Sequence, residues 1–190
     1  MTDYFADDII QNKLGITDDI KLQAAEEKII SEKAAILINE TWPTEPNMNY
    51  FKHIHKILFE DMYDFAGQFR SVDIIRRDGV IPFAYAQFIP NESERIFREL
   101  KIKKYLQALD EETFIAEITN LSMDLNALHP FREGNGRTIR LYLILLAYHA
   151  GYLLDYSKAS SEEIIHADKR AFEGDEKEIL TLYKKIVSII

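Results

Sequence analysis

His129-Pro130-Phe131-Arg132-Glu133-Gly134-Asn135-Gly136-Arg137 is the stretch that sets the architecture of this chain. It gathers a base, a carboxylate and two arginines onto one turn between two segments of different character. Upstream, Phe114, Ile115, Ile118, Leu121, Leu125 and Leu128 recur at helical spacing. Pro130 then excludes the helical region for His129 and closes that helix, so the imidazole stands at a helix exit. Downstream, Ile139, Leu141, Leu143, Ile144, Leu145, Leu146 and Ala147 leave almost no polar face before Gly151, the pattern of a central helix buried on most sides. Asn135 is a good N-cap for it. Gly134 and Gly136 allow close approach of a ligand to the backbone, and the unpaired amides of the first helical turn suit an anion.

Arg137 and Arg140 are spaced to project from one side of that first turn. Cations are disfavoured at the positive end of a helix dipole, and buried guanidinium groups need partners. Two readings stay open at this level. A bound polyphosphate supplies those partners, or Glu133 and other carboxylates pair with the arginines as structural salt bridges.

The remaining segments are helical apart from one. The spacing predicts amphipathic helices over residues 21–39, 48–65 with Gly67 as the stop, and 88–106 with Ile96, Phe97, Leu100, Ile102 and Leu106 inward. It also predicts a short helix through Ala171 capped at Ser160-Ser161-Glu162-Glu163, and a last helix ending at Ile190. Asp18 or Asp19 is the cap for the first, while Pro43 and Pro46 break the chain after it. Between Arg70 and Tyr85, Val72, Ile74 and Ile75, then Asp78-Gly79, then Val80, Ile81 and Phe83 read as a β-hairpin around a tight turn. His53 and His55 cannot face one way on a helix, which argues against a metal pair. For His55 a core hydrogen-bonding role outweighs a catalytic one.

With 190 residues and 22.2 kDa the chain fits one domain, 1–190, with a real core. Zero cysteines exclude disulfides, thiol nucleophiles and zinc-thiolate sites. The first residues lack a basic start and a long apolar core, and no 18-residue uncharged apolar run occurs, so the expected location is cytoplasmic, with no membrane contact. A net charge of −9 argues against general nucleic-acid binding. Gly134-x-Gly136 lacks the third glycine of a dinucleotide fold, there is no GxxxxGK loop, and His129 with Glu133 does not make HExxH.

The same nine residues with Arg140 resemble the signature of the Fic family of AMP transferases, His-Pro-Phe-x-Asp/Glu-Gly-Asn-Gly-Arg-x-x-Arg, at every specified position. Phe51, Ile54-His55, Leu58-Phe59, Tyr63, Phe65-Ala66-Gly67 and Arg70 resemble the family's run before its substrate-docking hairpin. The resemblance covers a core of about 48–151, followed by C-terminal helices over 160–190. It implies a mainly α, compact Fic-like domain with a central buried helix and one small β-hairpin, the flap. It implies a protein adenylyltransferase that moves AMP from ATP to a Tyr, Ser or Thr hydroxyl of a target protein. His129 would be the base and Glu133 the Mg²⁺ holder, with Gly134, Asn135 and Gly136 cradling phosphates and Arg137 and Arg140 holding the outer ones. Phe131 would anchor the loop, and Arg132, at a variable position, inherits no role. Ile74, Ile75 and Phe83 would belong to the target-docking flap, although Arg76-Arg77 depart from the family's basic-Gly pair. Alternatives are a Fic-like kinase or transferase of another phosphate-containing group, disfavoured by Gly136 where the kinase branch carries Lys, and a non-catalytic peptide-binding module. The family commonly blocks its nucleotide site with a glutamate from a Ser/Thr-x-x-x-Glu-Gly/Asn helix. Only Glu173-Gly174 approaches that motif, with Lys169 at the wrong place, so the expected control is a separate small antitoxin protein.

Overall fold

A computed structural model describes residues 10–75 and 82–190. Helix α1 (Asp19–Ile38) starts at Asp18, whose carboxylate accepts the Lys21 N–H. Its inward face is Leu22, Glu26 and Leu37, so a carboxylate sits at a core position that the apolar spacing did not reveal. Helix α2 (Met48–Phe59) is capped by Asn47 and buries Phe51, Ile54, His55, Leu58 and Phe59. It stops at Phe59 instead of running to Phe65. The chain instead turns through residues 60–67, which seats Met62 and Tyr63 in the core and ties the Gly67 amide to His55.

Helix α3 (Ile89–Ile102), entered through a one-turn 3-10 helix at 86–88, packs Ile96, Phe97 and Leu100 inward. Ile102, expected inward, is 73% exposed. The helix ends there, and Lys104, Tyr105 and Leu106 adopt positive φ, reversing the chain so that Leu106 fills the core instead. Helix α4 (Glu111–Leu128) is capped by Asp110 and delivers His129 at its exit. Helix α5 (Asn135–His149) follows and is the centre of the molecule, with Ile139, Tyr142, Leu143, Leu146 and Ala147 all buried. Phe51 meets the Tyr142 ring edge-on at 5.3 Å, and the Tyr142 hydroxyl donates to the Pro46 carbonyl at 2.6 Å, which fastens α2 and its entry to the central helix.

Strand β1 (Tyr152–Leu154) leads to α6 (Ser161–Phe172), which opens with a complete Ser160–Glu163 capping box. Helix α7 (Lys177–Ile186) is followed by strand β2 (Val187–Ile189), so the last helix does not reach Ile190. The two strands pair antiparallel, with Tyr152 opposite Ile189 and Leu154 opposite Val187. The sheet among the described residues is therefore this terminal pair and not the hairpin. The hairpin flanks meet in a single antiparallel bridge between Ile75 and Pro82, and Arg76, Arg77, Asp78-Gly79, Val80 and Ile81 lie outside the described residues. The fold is mainly α, with a buried central helix. No helix among the described residues is long and apolar enough to cross a membrane.

Candidate active site

His129 sits at the C-cap of α4 in the left-handed region, φ 44 and ψ 61, with its N–H bonded to the Leu125 carbonyl. His129 is out of the right-handed helical region, as Pro130 requires, and the left-handed turn is what frees it from the helix. Arg70 holds that turn in place. Its buried guanidinium donates to the carbonyls of His129 at 2.8 Å, Val72 at 2.8 Å, Leu128 at 3.4 Å and Ala84, and its N–H donates to the Pro130 carbonyl at 2.9 Å. One side chain thus binds the base's turn to both flanks of the hairpin. The Phe83 ring stacks on the His129 imidazole, 3.7 Å between centroids and 13° between planes. Of the three flap residues named from sequence, Phe83 reaches the histidine, Ile74 is half-buried and Ile75 is 59% exposed.

The loop after His129 is stiffened by Asn135. Its Oδ1 accepts the Phe131 N–H at 2.8 Å and its Nδ2 donates to the Phe131 carbonyl at 2.7 Å. Asn135 is not the N-cap: Gly134 takes that position with φ 79, and Asn135 is the first helical residue. Its buried amide side chain is committed to the loop, so any contact to phosphate from this residue runs through its backbone. Phe131 lies flat on His55, centroids 3.8 Å apart. His55 in turn accepts the Gly67 N–H on Nδ1, so Nε2 carries the proton and donates to the Glu133 carbonyl at 3.0 Å. Burial pushes its pKa down to about 4 and keeps it neutral. His55 is a core hydrogen-bonding residue beneath the loop.

The two glycines make room for the protein's own side chains. A Cβ on Gly134 would lie 2.2 Å from the Phe59 ring, and one on Gly136 would lie 3.2 Å from Arg140 Nη1. The close approach inferred from sequence is thus to Phe59 and Arg140. With Thr138 donating to the Gly134 carbonyl, α5 leaves the amides of its first turn, residues 135–137, without intrahelical acceptors.

Arg137 and Arg140, expected to act as a pair, are drawn to different neighbours. Arg137 stacks over the Phe59 ring at 5.0 Å, donates to Glu133 Oε1 at 3.0 Å and is bonded through Nη1 to Glu26. Glu26 also receives the Tyr63 hydroxyl. Arg140 has no carboxylate within ion-pair distance among the described residues; its guanidinium lies over Gly136 beside a cleft lined by Asn126, Tyr156 and Asp168. Glu133 Oε1 accepts both Arg137 and the Gly134 N–H, while its side chain remains 42% exposed. The salt-bridge reading therefore holds for Arg137, and the anion reading remains for Arg140. Sequence reasoning missed Glu26. The available signal was a carboxylate four residues after Leu22, in phase with the buried face.

Residues 45–147 match the profile of the Fic/DOC family, more than half of the chain. The chain belongs to the Fic/DOC family. It is 31% identical over 181 residues to a probable protein adenylyltransferase Fic of Escherichia coli K12, covering 95% of this chain and 88% of that one. It is 33% identical over 167 residues to the protein adenylyltransferase VbhT of Bartonella schoenbuchensis, covering 88% of this chain and 34% of that protein. Among solved structures, the Bartonella tribocorum effector BepC with bound AMPPNP superposes with a TM-score of 0.89 at 26% identity, over 98% of this Fic/DOC chain and 96% of that one.

Proposed function

We propose that this Fic/DOC chain is a protein adenylyltransferase that transfers AMP from ATP to a Tyr, Ser or Thr hydroxyl of a target protein. The observation that carries it is the juxtaposition at one helix start. His129, released at the exit of α4, opens the loop that leads directly into the open amides of α5, and over Gly136 in that first turn lies Arg140, which has no carboxylate partner among the described residues. A triphosphate has the complementary charge and length.

In the reaction, the target hydroxyl oxygen attacks the α-phosphorus, the bond to the β-phosphate bridging oxygen breaks, and pyrophosphate leaves. His129 takes the hydroxyl proton, so its imidazole must face the target and not the phosphates. The backbone amides of Asn135, Gly136 and Arg137 fix the anion, Arg140 holds the outer phosphates, and Arg137 flanks them. Asn135 and Phe131 keep the loop rigid enough for in-line attack.

Glu133 fits Mg²⁺. It is a half-exposed hard-oxygen donor whose protein contacts fall on Oε1. Mg²⁺ is commonly held by one or two carboxylates together with substrate phosphates. When bound there it supplies charge neutralisation on the phosphates. Ile75 and the bridge to Pro82 form the base of the target-docking strand pair, with main-chain addition as the recognition mode.

We further place the enzyme in the cytoplasm, on the zero cysteines, and assign its control to a separate antitoxin whose carboxylate pairs with Arg140. Glu173 is the C-cap of α6 and is engaged by Arg170 at 3.2 Å, which supports an inhibitor from outside this segment. The test is incubation of the purified protein with α-labelled ATP, Mg²⁺ and a cell extract. Transfer of AMP mass to a hydroxyl side chain is expected from the unmutated protein. Label from γ-phosphate instead, or no transfer without Glu173→Gly, contradicts the proposal.

A further inference from the structure

We infer that Glu26, on a helix outside the stretch matching the family profile, is a positioning residue that keeps Arg137 in place for the nucleotide while Glu133 turns to the metal. The inference rests on the nucleotide-binding reading above and deepens it.

Three groups restrain the Arg137 guanidinium, and they differ in permanence. The Phe59 ring lies beneath it at 5.0 Å, Glu26 takes Nη1, and Glu133 takes Nη2 at 3.0 Å. The Glu26 side chain is only 7% exposed, whereas that of Glu133 is 42% exposed. An exposed ion pair is labile and worth little, while a buried carboxylate without its partner is costly. The Glu133 contact is thus the one that breaks when a competing cation arrives, and the Glu26 contact persists. Glu26 is itself anchored from behind by the Tyr63 hydroxyl. Burial and the adjacent carboxylate push the Tyr63 pKa up, so that hydroxyl stays a donor.

The donor count agrees. A guanidinium has five N–H groups, and the two carboxylates occupy one on each terminal nitrogen, leaving three for phosphate oxygens. Without Glu26, Glu133 is the one carboxylate left to Arg137 among the described residues, with the Phe59 ring beneath it. Metal and arginine then compete for one carboxylate, and the loss of either weakens the nucleotide. A fold-only role for Glu26 predicts lower stability but no change in how the folded protein binds ATP.

The test is calorimetric ATP affinity in Mg²⁺, and the Mg²⁺ dependence of that affinity, for wild type, Glu26→Gln, Tyr63→Phe, Arg137→Met, Arg140→Ala and the double variant Glu26→Gln/Arg137→Met, each checked for cooperative unfolding. Glu26→Gln is expected to weaken ATP about 5–10-fold and to raise the Mg²⁺ needed, typical of coupled neighbours. Tyr63→Phe, which keeps the buried ring, is expected to weaken ATP about 2–5-fold by the same route. In the Arg137→Met background, Glu26→Gln is expected to add less than about twofold. Unchanged ATP affinity in folded Glu26→Gln, or in folded Tyr63→Phe if Glu26→Gln does not fold, overturns the inference, as does an equal loss with and without Arg137. Tighter ATP binding overturns it by marking Glu26 as a competitor of nucleotide. Failure of both variants to fold overturns it in favour of a structural pair. If Arg140→Ala and Arg137→Met also bind ATP normally, the nucleotide reading itself has failed; if they do not, only the role of Glu26 has.

Discussion

Arg70→Lys is a conservative substitution on paper and a disruptive one in this structure. The guanidinium reaches four carbonyls, those of His129, Val72, Ala84 and Leu128, from a side chain on a residue only 5% exposed. A lysine ammonium has three donors on one atom and cannot span a planar fork of acceptors. At least one and up to two buried carbonyls lose their charged donor, at about 1–3 kcal/mol each, for a total of roughly 1–6 kcal/mol centred on about 3 kcal/mol. With a urea slope of about 2–3 kcal/mol per molar, the midpoint should fall by about 1 M. The same change loosens the His129 turn from the hairpin flanks, and a displacement of about 1 Å at a reacting group costs on the order of 10²-fold in rate. Urea melts followed by circular dichroism, with AMP incorporation from labelled ATP, read both effects. A midpoint within about 0.2 M of wild type together with undiminished transfer would refute Arg70 as the clamp of this site.

Three further outcomes follow from the same geometry. His55 has a folded pKa of about 4 against an ordinary value of 6.5, so the unfolded chain takes up a proton that the folded one refuses. Stability should therefore fall as pH drops from about 6.5 to about 4, by up to ~1.4 kcal/mol per unit from this group, and denaturation of His55→Gln should show a shallower slope over that window. Gly134→Ala forces a Cβ to 2.2 Å from Phe59 at a φ of +79 and should cost about 2–4 kcal/mol in a urea melt; Phe59→Leu should relieve only the clash, so full rescue contradicts the backbone argument. Arg140→Ala and Glu133→Ala should each weaken ATP about tenfold or more in Mg²⁺ with little loss of stability, and calorimetry showing unchanged affinity for both removes their assigned roles.

The helical architecture was legible because its signals are local. Asp18, Ser160 with Glu163, and the nearly continuous apolar run of residues 139–147 fixed α1, α6 and α5 without reference to the rest of the chain. Non-local competition defeated the reading elsewhere. The α2 helix ends at Phe59 because Met62, Tyr63 and the Gly67 amide have better places in the core and on His55 than a helix would give them. The last residues form β2 because β1 offers them an edge. Within the site, the motif disclosed which residues gather but not their partners. Asn135 reads as a cap and is a loop brace; Gly134 reads as ligand clearance and is clearance for Phe59; Arg137 and Arg140 read as a pair and are divided by Glu26. The Asn135 brace is local, four residues back to Phe131, but the Phe59 and Glu26 contacts are more distant in sequence than local spacing can encode.

The central claim is that His129 moves a proton while α5 and Arg140 hold the nucleotide, and one comparison separates those tasks. His129→Ala should unfold as wild type does and bind ATP within about threefold of wild type. AMP transfer to the target hydroxyl should fall by ~10²–10⁴-fold, the usual cost of losing a general base. A folded His129→Ala protein that transfers AMP at near wild-type rate would contradict the account.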